Sequence, residues 1–342
     1  MSSFFNPRKN FFLPLLAAGI FLLPVTFFIF APPAGATIVS PARLEIEGDP
    51  GETVTGKCSV INDSDTAQVY YSSAENFEAE GETGNPRFVE SDDGLAEWIV
   101  VQPEIAVESK GRKDVNFTVN IPRDAGVGGH FAALFWGSQP PKEKEAGTVA
   151  IGQKVGVLVF LRVRGEVIEK GEITEFRTFH EKKMYDSLPV DMLFRFENAG
   201  NDRLKPLGEI EIVNMFGSIR ETIPANKKQG SVLPESVRKF YASWGREDLE
   251  ELEKRGEEMP QTNDPFFVKV KNQATHFALG KYTARIKLKY GLQGHEVSRD
   301  YSFFVIPWQL LSLVAVVLLL FFSFSILLIK RYNRWIVKRY QK

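Results

Sequence analysis

The chain has 342 residues, 44% of them apolar and 25% charged, with a formal net charge of −1. Those proportions exclude an intrinsically disordered chain, and the length allows about two domains. Residues 1–36 and 307–342 hold no Asp or Glu, while 37–306 hold 34 basic against 43 acidic residues; such an acidic body excludes nucleic acid as a partner, since that binding rests on Lys and Arg neutralising phosphates.

At the N-terminus, Arg8 and Lys9 precede an apolar run from Phe11 to Phe30, and Ala34-Gly35-Ala36 is a small-x-small site. The pattern predicts a secretory signal peptide over 1–36 and a mature start at Thr37. The run is long for a signal, and Pro14 and Pro24 interrupt it; an uncleaved anchor is the alternative.

From Thr37 on, strand signals dominate. "ARLEIEG", "TVTGKCSVI", "QVYYSSAENF", "EWIVVQ", "DVNFTVNIP" and "HFAALFW" alternate or run apolar, with Gly, Pro, Asn and Asp clusters between them. They predict a first Ig-like β-sandwich over 37–165, completed by strands in 148–167. Residues 140–146, rich in Pro, Lys and Glu, read as a polar loop. Cys58 shares parity with Val54, Gly56 and Val60, which places it on the inward face of its strand as an inert thiol. It is the only cysteine. No intrachain disulfide can form, which suits a bacterial envelope better than an animal ectodomain.

A second strand set follows over 166–306: "EITEFRTF", "VDMLFRFEN", "GEIEIVNMFG", "PFFVKVKN", "KYTARIKLKYG" and "SRDYSFFVI". It repeats the first. "SVINDSDTAQVYY" at 59–71 and "FRFENAGNDRLKPLGEIEI" at 194–212 are each a strand ending in Asn, a polar turn, then a strand. Gly129, Phe131 and Ala133 match Gly280, Tyr282 and Ala284 in spacing. The repetition reads as duplication of one Ig-like unit, so 196–213 connects two strands, with Asn and Gly supplying positive φ. The second copy adds a charged segment at 245–260 that breaks the strand pattern and reads as a short helix. The fold class expected is all-β: two tandem Ig-like β-sandwiches between a signal peptide and one transmembrane helix.

That helix is predicted over 307–329. Leu310 to Ile329 are twenty residues without a charge, enough at about 1.5 Å each to cross a hydrocarbon core of about 30 Å. Trp308, Tyr332 and Trp335 flank it as interfacial aromatics do. Lys330, Arg331, Arg334, Lys338, Arg339 and Lys342 make 330–342 a basic cytoplasmic tail by the positive-inside bias. The expected localisation is a single pass through the cytoplasmic membrane, with the body outside.

Catalytic signals are sparse. His130, His180, His276 and His295 are scattered and form no zinc spacing; surface roles are expected. There is no Gly-x-Ser-x-Gly elbow and no phosphate-cradling glycine loop. "NDSD" at 62–65 and "ESDDG" at 90–94 have oxygen ligands for calcium but miss the twelve-residue loop pattern, and Asp-rich turns are ordinary between strands. Trp98 and Trp136 lie in apolar strand runs and are expected in the core, whereas Trp244 adjoins the charged insertion and is expected at the surface, where it could stack on a sugar. No catalytic residue, cofactor or metal site is assigned.

The order of signal peptide, Pro-Gly-rich sandwich, second sandwich, membrane helix and basic tail resembles the WxL-interacting protein family of bacterial cell surfaces. "SPARLEIEGDPGETVTGKCSVIND" at 40–63 and "VNFTVNIPRDAGVGGHFAALFWG" at 115–137 carry the local likeness. The resemblance implies a first domain that binds cell-wall peptidoglycan and a second that binds an extracytoplasmic protein. The leading expectation is a non-enzymatic, membrane-anchored binding or scaffold protein. The alternative is a chaperone-like assembly factor that pairs a strand edge with an exported client. A wall-glycan hydrolase comes third.

Overall fold

The computed structural model describes residues 37–89, 91, 93–140, 154–256 and 264–340. The expected signal peptide, the polar loop from 141 on, residues 148–153 and 257–260 of the charged segment lie outside them.

The first sandwich pairs a four-stranded sheet with a six-stranded one. The smaller sheet has the order β1 (Thr37–Ser40), β3 (Thr53–Asn62), β8 (Arg112–Asn120), β6 (Ile99–Val100). The larger runs β2 (Arg43–Gly48), β10 (Lys154–Val163), β9 (Gly128–Gly137), β4 (Gln68–Ala79), β5 (Pro86–Val89), with β7 (Glu104–Val107) also on β4. Alternate residues face inward, as the period of two requires: Cys58 and Val60 from β3, Ala132, Leu134 and Trp136 from β9, Val157, Val159 and Leu161 from β10. The segment "EWIVVQ" departs from expectation. Leu95–Trp98 is a helical turn, α1, ahead of the two-residue β6. It tucks Leu95 and Ala96 into the core and takes a hydrogen bond from the Ala96 N–H to Asn76 Oδ1 at 2.8 Å.

The second sandwich pairs β11 (Gly171–Thr178), β13 (Val190–Asn198) and β16 (Ser236–Trp244) with a five-stranded sheet. That sheet runs β12 (Met184–Tyr185), β18 (His295–Val305), β17 (Gly280–Tyr290), β14 (Leu207–Asn214), β15 (Ile219–Pro224). Its core holds Phe194 and Phe196, Ile210 and Ile212, Tyr282, Ala284, Ile286 and Phe303, each large side chain contributing about 1.5–3 kcal/mol by leaving water. Tyr185 lies in this core with a hydroxyl that makes no well-formed hydrogen bond among the described residues. Burial pushes its phenol from 10.0 up to about 12. The folded chain thus holds that proton more tightly than the unfolded one, so stability is lost as pH rises from about 10 toward about 12. We expect Tyr185→Phe to leave neutral-pH stability equal or raised and to flatten that alkaline loss, read by urea midpoints across the range.

One expectation is corrected here. "PFFVKVKN" alternates like a strand, yet Phe266–Thr275 is a helix, α3. Pro265 stands at its N-cap, and Val270 and Gln273 supply its buried face, so docking overrides a two-residue period. Among the described residues the charged segment holds a six-residue helix, α2 (Glu250–Arg255), the short helix expected there. Leu252 anchors it on Phe179 and Leu193, on the outer face of the three-stranded sheet.

The last helix, α4 (Trp308–Tyr340), runs for 33 residues through both the apolar stretch and the basic segment after it. From Trp308 to Val337 it is long and apolar enough to cross a membrane, and none of its most apolar window is buried against the protein.

Candidate functional site

Two asparagines, Asn62 and Asn198, end β3 and β13 and build the same device. Asn198 is wholly buried. Its Nδ2 donates to Asp202 O at 2.7 Å and Val232 O at 2.9 Å, while Oδ1 accepts from Gly200 N at 3.0 Å. Asn62 Nδ2 donates to Thr66 O at 2.8 Å and Val107 O at 3.3 Å, and Oδ1 accepts from Ser64 N at 3.0 Å. Each side chain thus closes its own turn and ties it across the sandwich. Positive φ plays no part in the 198–202 turn; between 196 and 213 only Gly208 has it. Gly200 is required for space instead, since a Cβ there would stand 2.1 Å from Ile168 O.

The second turn is also the joint between the sandwiches. Gly129 N donates to Asn201 O at 2.9 Å, Asn201 Nδ2 to Val127 O at 3.1 Å, and Ile168 N to Asn201 Oδ1 at 2.8 Å. Gly128, at φ 115°, admits this approach, because a Cβ would lie 2.2 Å from Asn201 O. Its counterpart is Gly280, at φ 109°. The repeat therefore aligns Gly128, His130 and Ala132 with Gly280, Tyr282 and Ala284, one residue away from the match the spacing alone selects. In this frame both alanines face a core.

Charge pairs complete the joint. Arg162 Nε, on β10, donates to Asp202 Oδ2. The Asp202 side chain is 1% exposed and that of Arg162 16%. Arg203 and Lys205 reach Glu45 of β2 at 2.7 and 3.5 Å. Burial raises the Glu45 carboxyl, but Arg203, Lys205 and Arg43 outweigh it and hold the group below its ordinary value. On the other flank Arg195 and Lys239 reach Glu82 at 2.8 and 3.4 Å. Glu169, in the linker, accepts from Leu292 N at 2.8 Å. Between β2 and the β14–β17 face lies an open cleft of about 1290 Å³ lined by Glu45, Arg162, Arg203, Lys287, Tyr290 and Glu296 among others. Its acids and bases are mostly paired with one another, and among the described residues no nucleophile stands beside a base in it. None of the joint's charged residues is marked by sequence, because each looks like an ordinary surface charge.

A different kind of feature lies at the start of β10. β9 pairs with all of β10, from Lys154 to Val163, but β2 covers only Leu158–Val163. Extending the β2 register backward would set β1 beside the start of β10. Instead the chain crosses at Pro41 to the other sheet, where β1 pairs with β3. Leu158 N donates to Ala42 O at 3.0 Å, so by the period of two the N–H and C=O of Lys154 and Gly156 point to the same side. There no strand meets them among the described residues. Among the other edges, β5 carries Pro86 and Arg87, β12 has two residues, and β15 carries Arg220 and Glu221, while β11 and β16 border the three-stranded sheet, where Arg299 donates to Ile173 O and Thr174 O of β11 and Lys239 N of β16 to Glu82 O.

The residues singled out by sequence do not assemble. Cys58 is 1% exposed, and burial pushes its thiol up despite the Trp136 side chain beside it. His130 is half-buried, bonds Gly126 O at 2.7 Å and stacks on Trp98 at 4.7 Å. His180 and His276 are exposed at turns, and His295 lies over Tyr290 at 5.5 Å. Among the described residues no three metal-ligating side chains come together. In the "NDSD" loop Asp63 and Asp65 both pair with Lys110 at 3.3 Å, so an ammonium occupies the place a calcium ion would take; Glu90 and Asp92 of "ESDDG" lie outside the described residues. Trp136 is in the core as expected, but Trp244 is a correction. It is 4% exposed, packed on Tyr282 at 4.7 Å and Phe303 at 6.1 Å, because it ends an unforeseen strand, β16. Trp98, expected in the core, is half-buried beside it.

No protein-family model matches the chain, and no characterised protein matches its sequence. Among solved structures, the chain is similar to the class 5 fimbriae chaperone CfaA at TM-score 0.38 and 10% identity, over 80% of this chain and all of that one. It is similar to the CupB2 chaperone of Pseudomonas aeruginosa at TM-score 0.32 and 11% identity, over 77% and 98% of the two chains. A PapD-like domain of human CEP192 gives TM-score 0.26 and 16% identity over 37% of this chain and 84% of that domain.

Proposed function

We propose that this chain is a non-enzymatic, membrane-anchored envelope protein that captures an extended segment of an exported partner by adding it as a strand to β10. The sandwiches are read as Ig-like, the body as lying outside the cytoplasmic membrane and α4 as its anchor. One observation carries the reading: Lys154 and Gly156 offer backbone donors and acceptors on an edge that β2 leaves open. Beside it β1 exposes Ile38, so an incoming strand would find both main-chain partners and an apolar wall. This is the chaperone-like alternative of the sequence, placed ahead of the wall-polymer role because the open edge of β10 favours strand addition.

Lys154→Pro tests it. The Lys154 N–H faces the open side, so proline there removes no bond to β9. A photo-crosslinker on β1 should trap, in cells, a strand-forming segment of an extracytoplasmic protein with the natural chain and none with the variant, at unchanged thermal midpoint. Equal trapping by both would refute strand addition at this edge.

A further inference from the structure

Between the last strand and α4 stand only Ile306 and Pro307, a reach of about 7 Å. Even that link is fixed, since Ile306 N donates to Tyr185 O at 2.8 Å. The first turn of α4 is part of the body. Gln309 is 2% exposed and bonded to Gln273 of α3, Gln309 Nε2 donates to Asp186 at 3.2 Å, and Leu310 N donates to Gln273 Oε1 at 2.9 Å. The apolar stretch begins at Leu310. A bilayer around α4 therefore has to meet the body at this end of the second sandwich.

That end is apolar where a water-facing surface would be polar. The ladder sets Gly280 against Val305 and Asn214 against Tyr282, so the β14–β15 tip and the α3–β17 connection share the end from which α4 leaves. Phe216 at the tip is 84% exposed and Phe267 on α3 is 74% exposed. Phe266 is exposed too, 6.5 Å from Trp308 between ring centroids. Phe277 and Leu279 complete the patch, with exposed Lys271 and Lys281 beside it.

We propose that this surface docks on the phospholipid interface: α3 and the β14–β15 tip insert Phe267 and Phe216 among the headgroups around the point where α4 enters. The inference rests on reading α4 as membrane-spanning. Aromatic side chains favour this depth, and apolar faces of interfacial helices sink about 5–10 Å into it. Lysines beside them suit lipid phosphates. Continuity with α4 selects lipid over a protein partner, since any protein here would have to displace the bilayer at the foot of the helix.

The test uses the full chain in liposomes of phosphatidylethanolamine and phosphatidylglycerol. Single cysteines at F216C, F267C, L292C and L319C each carry an environment-sensitive fluorophore, and buried Cys58 stays unlabelled. Nitroxide lipids quench either near the headgroups or deep in the acyl region. Leu292, at the opposite turn of the same sheet, reports water, and Leu319 reports the bilayer centre. The expected result is several-fold stronger quenching of F216C and F267C than of L292C, strongest with the shallow nitroxide, alongside deep quenching of L319C. L319C quenched with F216C and F267C in water would overturn the docking and leave the span intact. Blue-shifted but unquenched labels at Phe216 and Phe267 would mean a protein occupant, and would also overturn it. An unquenched L319C would remove the span and the docking together.

Discussion

Asp202→Ala is expected to destabilise the body by about 3 kcal/mol, toward the low end for removing one partner of a buried ion pair. The loss leaves the Arg162 guanidinium in the joint, with only Glu169 at 3.8 Å to face. It also removes the carboxylate that accepts from Arg203 N at 2.7 Å. Urea unfolding of residues 37–306 measures the effect. The variant should also part the sandwiches, raising the radius of gyration in solution scattering while each core stays folded. An unchanged midpoint and unchanged scattering would show that Asn201 alone suffices to hold the joint.

Asn198→Ala should cost a similar amount, about 3 kcal/mol, by a different route. The side chain has three buried bonds, to the carbonyls of Asp202 and Val232 and from Gly200 N. Alanine leaves Asp202 O and Gly200 N without that partner, at about 1 kcal/mol or more each, and leaves Val232 O with the Leu204 N–H at 2.9 Å; the cavity left by the buried side chain adds to the loss. Because the turn it closes also presents Asn201 and Asp202 to the first sandwich, the variant should loosen the joint as well as the fold. Combined with Asp202→Ala, the losses should sum to less than the separate values, since the two residues share one turn. A double-mutant cycle on the urea midpoints reads that coupling, and full additivity would argue against a shared device.

β17 is legible because it alternates, one face in a core and the other toward water, and β9 and β13 because their apolar runs are buried on both faces. β16 is not, although its sequence "SVRKFYASW" ends in three buried residues. The guanidinium of its Arg238 lies 5.2 Å from the Phe240 ring centroid and against Gly84 of the first sandwich, so a charged residue that reads as solvent-facing is half-buried between the two. α3 fails for the opposite reason: its residues alternate, and only contact with Gln309 and Trp308 makes them a helix. The likeness of the two sandwiches is legible through their asparagines, but the glycine match differs by one from the spacing, because φ decides which of Gly128 and Gly129 corresponds to Gly280. The joint is the least legible part. Glu45 finds Arg203 across 158 positions and Glu82 finds Arg195 across 113, and a lone sequence carries no sign of such pairs. The open edge is a matter of register, set by where the chain crosses at Pro41, and composition says nothing of it.

Strand β10 begins at the uncovered Lys154 and ends beside Arg162, which holds the joint. With Ile306 and Pro307 as the whole link to α4, the body has no leash on which to swing. A partner would therefore meet Lys154 at one constant height above the lipid and in one orientation. On the proposed reading, the partner's own length of free chain, rather than any motion of this protein, then decides how far from that height it can be caught.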